Sequence, residues 1–216
     1  MQKITIIDYG INNLESIKMA FNSLGYKALL TSDPKELELS DKIILPGVGS
    51  FEKGMKELKK IKIIDSLEKA FINNKPILGI CLGMQMLMER SEEFGTHKGL
   101  GFIKGDVKKL PEGEGNVKIR KIPNVGWNKL SINEKSSSIY KNIIMESYEK
   151  KFYFYFTHSF FAKPLENNNV LCTTNYNEFK FASVITCNNL IGCQFHPEKS
   201  GKSGLKLLQK FILKNA

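Results

Sequence analysis

Three histidines, four cysteines, two arginines and one tryptophan are all that the 216 residues hold of those types. None of the cysteines, Cys81, Cys172, Cys187 and Cys193, forms a C-x-x-C pair. That excludes zinc-ribbon spacing, and a disulfide framework is not expected in a chain of this size that lacks a secretory pattern. Three of them read as small buried hydrophobes; Cys81 stands apart. Only Arg90 and Arg120 accompany thirty lysines. Nucleic-acid sites concentrate arginine and lysine on one element with aromatics between, whereas lysines here are dispersed, as at Lys56, Lys59, Lys60 and Lys62, or Lys108 and Lys109. The net charge of +10 therefore reads as a solvated lysine-rich surface, with no nucleic-acid partner expected. No apolar run reaches the roughly 18 residues of a membrane span, and Lys3 and Asp8 interrupt any leader. A soluble, cytoplasmic chain without a membrane partner is expected. Any histidine-dependent chemistry must use His97, His158 or His196.

What is present suits a globular enzyme: 42% hydrophobic and 25% charged residues exclude a disordered or fibrous chain. At roughly 150 residues per domain the length gives about 1.4 domains, and with no linker or repeat in view a single domain over 1–216 is expected. The first half alternates strands and helices. Ile4, Ile6 and Ile7 stop at Asp8-Tyr9-Gly10. Leu14, Ile17, Ala20, Phe21 and Leu24 recur at helical spacing before Gly25. Tyr26 to Leu30 is a second strand, Asp33-Pro34 opens a short helix, and Ile43-Ile44-Leu45 is a third strand ending in Pro46-Gly47-Val48-Gly49. Phe51 to Lys60 and Ile61 to Phe71 are helical, and Ile77 to Ile80 runs into Cys81. Continuous apolar strands alternating with helices imply an α/β fold with a central, mostly parallel sheet covered on both faces. From Gly99 the segments turn β-rich: Phe102–Leu110, Val117–Ile122, Phe152–Thr157, Val170–Tyr176, Phe181–Cys187 and Leu190–Phe195. Gly201 to Leu213 closes the chain as an amphipathic helix.

Gly79-Ile80-Cys81-Leu82-Gly83-Met84-Gln85 is the strongest local signal. It reads G-x-C-x-G between an apolar strand and a helical run, Met84 to Met88, which is a nucleophile elbow with cysteine in the serine position. A helix N-terminus there lowers the thiol pKa and leaves N–H groups for an oxyanion. A nucleophilic cysteine needs a base and an orienter. His196, in Gln194-Phe195-His196-Pro197-Glu198, follows an apolar strand, and in extended backbone Glu198 points to the same side as His196 and can reach the ring nitrogen turned from the thiol. His158, after the aromatic run 152–156, is equally well a satisfied structural histidine, and His97 reads as a surface loop residue.

Gly-Ile-Cys-Leu-Gly-Met-Gln together with Phe-His-Pro-Glu resembles the class I glutamine amidotransferases. The likeness extends along the chain through Asp8-Tyr9-Gly10 to Leu14, Pro46 to Phe51, Gly126-Trp127-Asn128 and Gln194 to Gly204, and it is closest to the glutaminase subunits of imidazole glycerol phosphate synthases. The resemblance implies a three-layer fold and a Cys81 nucleophile with His196 as base and Glu198 as orienter. It further implies an oxyanion strand with Gly47, Val48 and Gly49 supported by the Leu82 N–H, and a glutamine pocket with Gly49, Gln85, Glu93, His158 and Ser159. Glu93 suits the substrate's α-ammonium group, though a solvated charge in Arg90-Ser91-Glu92-Glu93 is an equal reading. No cofactor or metal is implied. The implied partner is a (β/α)8 cyclase subunit in a heterodimer, receiving ammonia in histidine biosynthesis, met by a face containing Asn12, Asn124 and Trp127.

Two positions depart from that family. Asn12-Asn13 stands where Gly-Asn is usual, and asparagine tolerates positive φ. Pro123-Asn124-Val125-Gly126-Trp127-Asn128 has Asn124 where histidine is common. These departures leave open a paralogous glutaminase feeding a sugar amidotransferase in surface-glycan synthesis. A stand-alone cysteine hydrolase and a basic binding module are the rivals from other classes.

Overall fold

The computed structural model describes residues 2–10, 13–113, 121–146 and 153–214. Asn12 and most of the expected strand Val117–Ile122 lie outside the described residues. The sheet at the centre takes its first strands where the apolar runs predict them: β1 (Ile4–Ile7), β2 (Ala28–Thr31), β3 (Lys42–Leu45) and β4 (Ile77–Ile80). Between them lie α1 (Leu14–Ser23), α2 (Pro34–Glu38), α3 (Phe51–Lys60) and α4 (Ile64–Ile72). Asp33 caps α2 by accepting the Lys35 N–H at 2.9 Å, with Pro34 at the first helical position. Gly25 ends the first helical segment at φ 81°, the left-handed conformation that glycine takes without a Cβ clash. The helix expected from Ile61 begins only at Ile64, because Lys62 at φ 56° breaks it from α3.

Past the elbow come α5 (Leu82–Met86), β5 (Met88–Ser91), β6 (His97–Lys98) and β7 (Ile103–Lys109), then β8 (Asn124–Lys129), β9 (Ser131–Ile132) and α6 (Lys141–Glu146). Next are β10 (Tyr153–His158), β11 (Phe160–Pro164), β12 (Val170–Tyr176), β13 (Phe179–Cys187), β14 (Leu190–Cys193) and α7 (Gly201–Leu213). The helical run expected over Met84 to Met88 is displaced: α5 ends at Met86, and Met88 already pairs in β5.

The main sheet has the order β2-β1-β3-β4-β14-β13-β12-β9. Its first five strands run parallel and the last three antiparallel. Strand alternation divides its side chains between two cores. Ile4, Ile6, Ile44, Leu78 and Ile80 pack with α1 and α7 through Ile17, Phe21, Leu208 and Phe211. Ile7, Ile43, Leu45 and Ile77 pack on the other face with Leu37, Phe51, Leu58 and Leu67 of α2, α3 and α4. Helix, sheet and helix form the three layers. A second sheet, β11-β7-β5-β6, closes over the latter face through Val107 and Ala162, while β8 and β10 form a separate two-stranded ribbon.

Candidate active site

The parallel pair β4 and β14 positions the chemistry. Gly79 pairs with Gly192 and Ile80 with Cys193, and the Cys81 N–H donates to the Cys193 carbonyl at 2.8 Å. The ends of both strands therefore stand side by side, with Cys81 leaving one and the segment to His196 leaving the other. Cys81 is held at φ 53°, ψ −109° and opens α5, a backbone region that costs a non-glycine residue strain and marks functional turns. Close approach requires the flanking glycines. A Cβ on Gly83 would stand 1.9 Å from the Leu45 carbonyl oxygen, and one on Gly79 2.6 Å from Leu87 Cδ1. The Gly83 contact is with backbone and cannot relax by rotamer change. Gly83→Ala should therefore destabilise by about 2–3 kcal/mol, lowering the melting temperature by roughly 5–10 °C, read by thermal unfolding.

His196 is 1% exposed and its Nδ1 lies 2.8 Å from Glu198 Oε1. The expected route was extended backbone. In fact Pro197–Lys199 is a 3₁₀ turn, which swings the carboxylate back under the ring. Asn13 Nδ2 donates to the same carboxylate oxygen at 2.8 Å, from a backbone at φ 82°. Nothing in the local sequence around Asn13 points to this contact, and the positive-φ expectation falls on Asn12, outside the described residues. With Nδ1 engaged by Glu198, Nε2 is the ring nitrogen available to the thiol. Burial alone would lower the His196 pKa, but hydrogen bonding and charge from Cys81 and then Glu198 outweigh it and raise it to about 10. A protonated imidazole at His196 is the state this environment favours.

An open cleft of about 310 Å³ is lined by Cys81, His196, Val48, Gly49, Leu82, Gln85, Glu93, His158 and Ser159, joined by Pro123, Thr157 and Phe160. Glu93 Oε2 accepts the Phe51 N–H at the start of α3 at 2.5 Å, so one oxygen serves the helix terminus, as carboxylates there do. Glu93 is buried to 9% exposure, which excludes the solvated-charge reading, and that burial raises its pKa against the opposing Phe51 N–H. His158 Nδ1 lies 2.8 Å from the Phe160 carbonyl, which makes Nδ1 the protonated nitrogen and leaves Nε2 to accept from Asn124 Nδ2 at 3.0 Å. Burial pushes its pKa down to about 4, with the Phe160 carbonyl opposing and His196 adding; His158 is neutral at pH 7. His97 is a strand residue in β6 rather than a surface loop residue, its ring half-buried near Glu52.

The oxyanion strand does not present its expected donors. The Leu82 N–H donates to the Gly47 carbonyl at 3.3 Å. The Gly47–Val48 peptide is trans, so the Val48 N–H points the opposite way. Tyr9 Oη donates to the Pro46 carbonyl at 2.6 Å and anchors the preceding peptide. Burial, and secondarily Cys81, push the Tyr9 phenol up, which keeps that donor protonated.

Of the residues expected on the partner face, Trp127 is 53% exposed, beside exposed Val125 and Tyr153. Asn124 is a correction: it is fully buried, because strand alternation in β8 turns it inward to His158 while Val125 and Trp127 face out. The ribbon is tied to the site through backbone. The His196 N–H donates to the Tyr155 carbonyl at 2.9 Å, and Ser200 Oγ accepts the Tyr155 N–H at 3.0 Å while donating to the His196 carbonyl at 2.6 Å.

The model of the family "Glutamine amidotransferase class-I" matches residues 5–215. Subunit HisH 1 of imidazole glycerol phosphate synthase from Legionella pneumophila (strain Lens) is 41% identical, covering 98% of this chain and 99% of that one. Subunit HisH 2 from Methanococcus maripaludis is 45% identical, covering 97% and 98%. The corresponding HisH subunit from Geobacter metallireducens is 39% identical over the whole of both chains. Among solved structures, PurLQS from Thermotoga maritima superposes with a TM-score of 0.71 at 20% identity, covering 98% of this chain and 97% of the other. At that identity the likeness speaks for the fold.

Proposed function

The chain belongs to the class-I glutamine amidotransferase family, and from that premise we propose that it is the glutaminase subunit of an imidazole glycerol phosphate synthase. It hydrolyses L-glutamine and passes ammonia to a cyclase subunit in histidine biosynthesis. The observation that carries this reading is full-length likeness to HisH subunits at 39–45% identity, with Cys81 and His196 lining one cleft and Glu198 bonded to the His196 ring.

In the mechanism, the Cys81 thiolate attacks the side-chain carbonyl carbon of glutamine and forms the C–S bond. The developing oxyanion calls for backbone N–H donors at Leu82 and the oxyanion strand. His196, protonated at Nε2, gives its proton to the leaving nitrogen as the C–N bond breaks, releasing ammonia and leaving a thioester. Neutral His196 then takes a proton from water, whose oxygen attacks the thioester. Glutamate departs and the thiolate–imidazolium pair is restored. Glu198 holds the ring and its charge throughout. Neutral His158 cannot repel the substrate's α-ammonium, and the buried Glu93 carboxylate attracts it. The partner we assign is a (β/α)8 cyclase that docks on the Trp127 side of the ribbon.

An electrophilic glutamine analogue should modify Cys81 and none of the other three cysteines. Burial pushes the Cys172 and Cys193 thiols far up, and burial with the Glu166 charge raises Cys187. Peptide mapping of the modified protein checks this; label spread over several cysteines defeats the assignment. The Asn124 substitution keeps the glycan-pathway paralogue as a second reading. Stimulation by a sugar amidotransferase system and not by a cyclase would select it.

A further inference from the structure

We infer that Gln194 is a positioning residue for the nucleophile: its side-chain amide donates to the Cys81 thiolate and is locked in that orientation by Gln85. The inference rests on Cys81 being the nucleophile proposed above.

Gln194 is fully buried, and a buried amide needs partners for both its ends. Its Nε2 lies 3.7 Å from Cys81 Sγ, and its Oε1 accepts from Gln85 Nε2 at 3.1 Å. Amide nitrogen and oxygen are distinguished only by their surroundings, and here the surroundings decide. Gln85 Nε2 also faces the Phe160 carbonyl at 2.8 Å, a group that can only accept. The Gln85 amide must therefore place nitrogen, not oxygen, between Phe160 and Gln194. That nitrogen demands oxygen from Gln194, which leaves only the Gln194 N–H₂ for the sulfur. The Gln194 main chain is fixed as well, its N–H donating to the Ser183 carbonyl at 3.0 Å in β13.

The Phe160 carbonyl also accepts a hydrogen bond from His158 Nδ1, His158 Nε2 accepts one from Asn124 Nδ2, and Asn124 Oδ1 accepts one from Asn128 Nδ2 at 3.1 Å. Two hydrogen-bonded chains thus meet at Phe160: one begins on the ribbon that carries Trp127, the other ends on Cys81. A thiol is a weak acceptor and a thiolate a strong one, so a donor held against sulfur by a satisfied network favours the ionised form. Gln85 lines the glutamine cleft, so the residue that orients Gln194 also faces the substrate.

The test is the pH dependence of Cys81 alkylation by iodoacetamide, read at the Cys81 peptide by mass spectrometry. Wild type is compared with Gln194→Met, which keeps volume and removes the donor, and with Gln194→Asn, whose shorter amide falls short of the sulfur. A lost hydrogen bond to a charged group shifts the midpoint by about one unit or more. The midpoint should rise by about one unit in both variants, so that alkylation at a pH below both midpoints falls about tenfold. Steady-state kcat should fall with little change in KM. If Gln194 only fills space, melting temperature drops and the midpoint stays; an unmoved midpoint in a variant that still melts cooperatively overturns the inference. If neither variant folds, Gln194→Glu, which keeps the side-chain shape and the acceptor for Gln85 but has no N–H for the sulfur, is read in the same way: a raised Cys81 midpoint supports the inference and an unmoved one overturns it. Loss of the glutaminase reading shows separately, as absence of glutamate production by wild type while the alkylation shift persists.

Discussion

Cys81→Ala should eliminate glutamate production, with a loss of about 10⁴–10⁶ in kcat on the scale of other nucleophile deletions, while the protein still folds. The side chain lost is small, and the elbow is held by contacts it does not make: the Gly79 and Gly83 approaches and the Cys81 N–H to Cys193. His196→Ala should cost about 10²–10⁴, the range that proton transfer supplies. Glu198→Gln should cost less, because an amide oxygen can still accept from Nδ1 and from Asn13 while the charge is gone. The pH profile separates these effects. Rate should fall on the alkaline side as the His196 imidazolium, whose pKa stands at about 10, loses the proton destined for ammonia. Glu198→Gln removes one cause of that elevation, so the alkaline limb should move to lower pH. A triad variant with wild-type rate and profile would remove its residue from the mechanism.

The isolated chain should be a poor glutaminase, and a cyclase partner carrying its nucleotide ligand should raise the rate by at least about 10²-fold. The physical basis is the oxyanion strand. A carbonyl, Gly47 O, occupies the Leu82 N–H that the tetrahedral intermediate needs, and the Val48 N–H faces away. Loss of a single donor costs about 10²–10³ in kcat, and here one donor is occupied and the second is reversed. Turning the Gly47–Val48 peptide over would free the first and supply the second. The anchored Pro46 carbonyl confines that motion to a short segment, and Gly49, at φ 98°, can absorb it. Docking beside Trp127 has a route to the site, because Trp127 packs edge-on to Tyr155, ring centroids 6.0 Å apart, and the Tyr155 backbone is bonded to His196 and Ser200. A partner that binds the competent arrangement better shifts the population toward it. Trp127→Ala should weaken this stimulation more than basal hydrolysis. Steady-state glutamate production by the chain alone, with cyclase, and with cyclase plus nucleotide ligand is the measurement, and full activity of the chain alone would defeat the idea.

The first half of the fold was legible because its strands are continuous apolar runs and its helices carry clean 3.6-residue periodicity; β1, β3, β4, α1 and α3 fall where Ile4, Ile43, Ile77, Leu14 and Phe51 put them. The second half was legible only in part. Met88-Glu89-Arg90-Ser91 and His97-Lys98 are short charged strands whose pairing partners, not their own residues, make them strands. Phe160–Pro164 ends in a proline that argues against a strand interior, yet pairs with β7 along its length. The elbow and the His196 segment could be read from the sequence because strand, turn and helix chemistry are local there. Gln194, Asn13 and the inward turn of Asn124 could not. Their roles depend on contacts with residues 113, 185 and 34 positions away, and no local pattern encodes a side-chain amide's orientation.

The pairing of β14 with β4 joins residues 190–193 to 77–80, a contact of high sequence separation. Such pairings form late, since a long loop must close before they yield any stabilisation. During synthesis the chain emerges from its N-terminal end, so the Cys81 elbow is outside the ribosome long before the segment carrying His196. Until β14 takes its place between β4 and β13, the thiol has no imidazole beside it to act as its base. A chain in which this pairing has not formed is therefore chemically quiet toward glutamine, and the strand that arms it is the last one the ribosome makes.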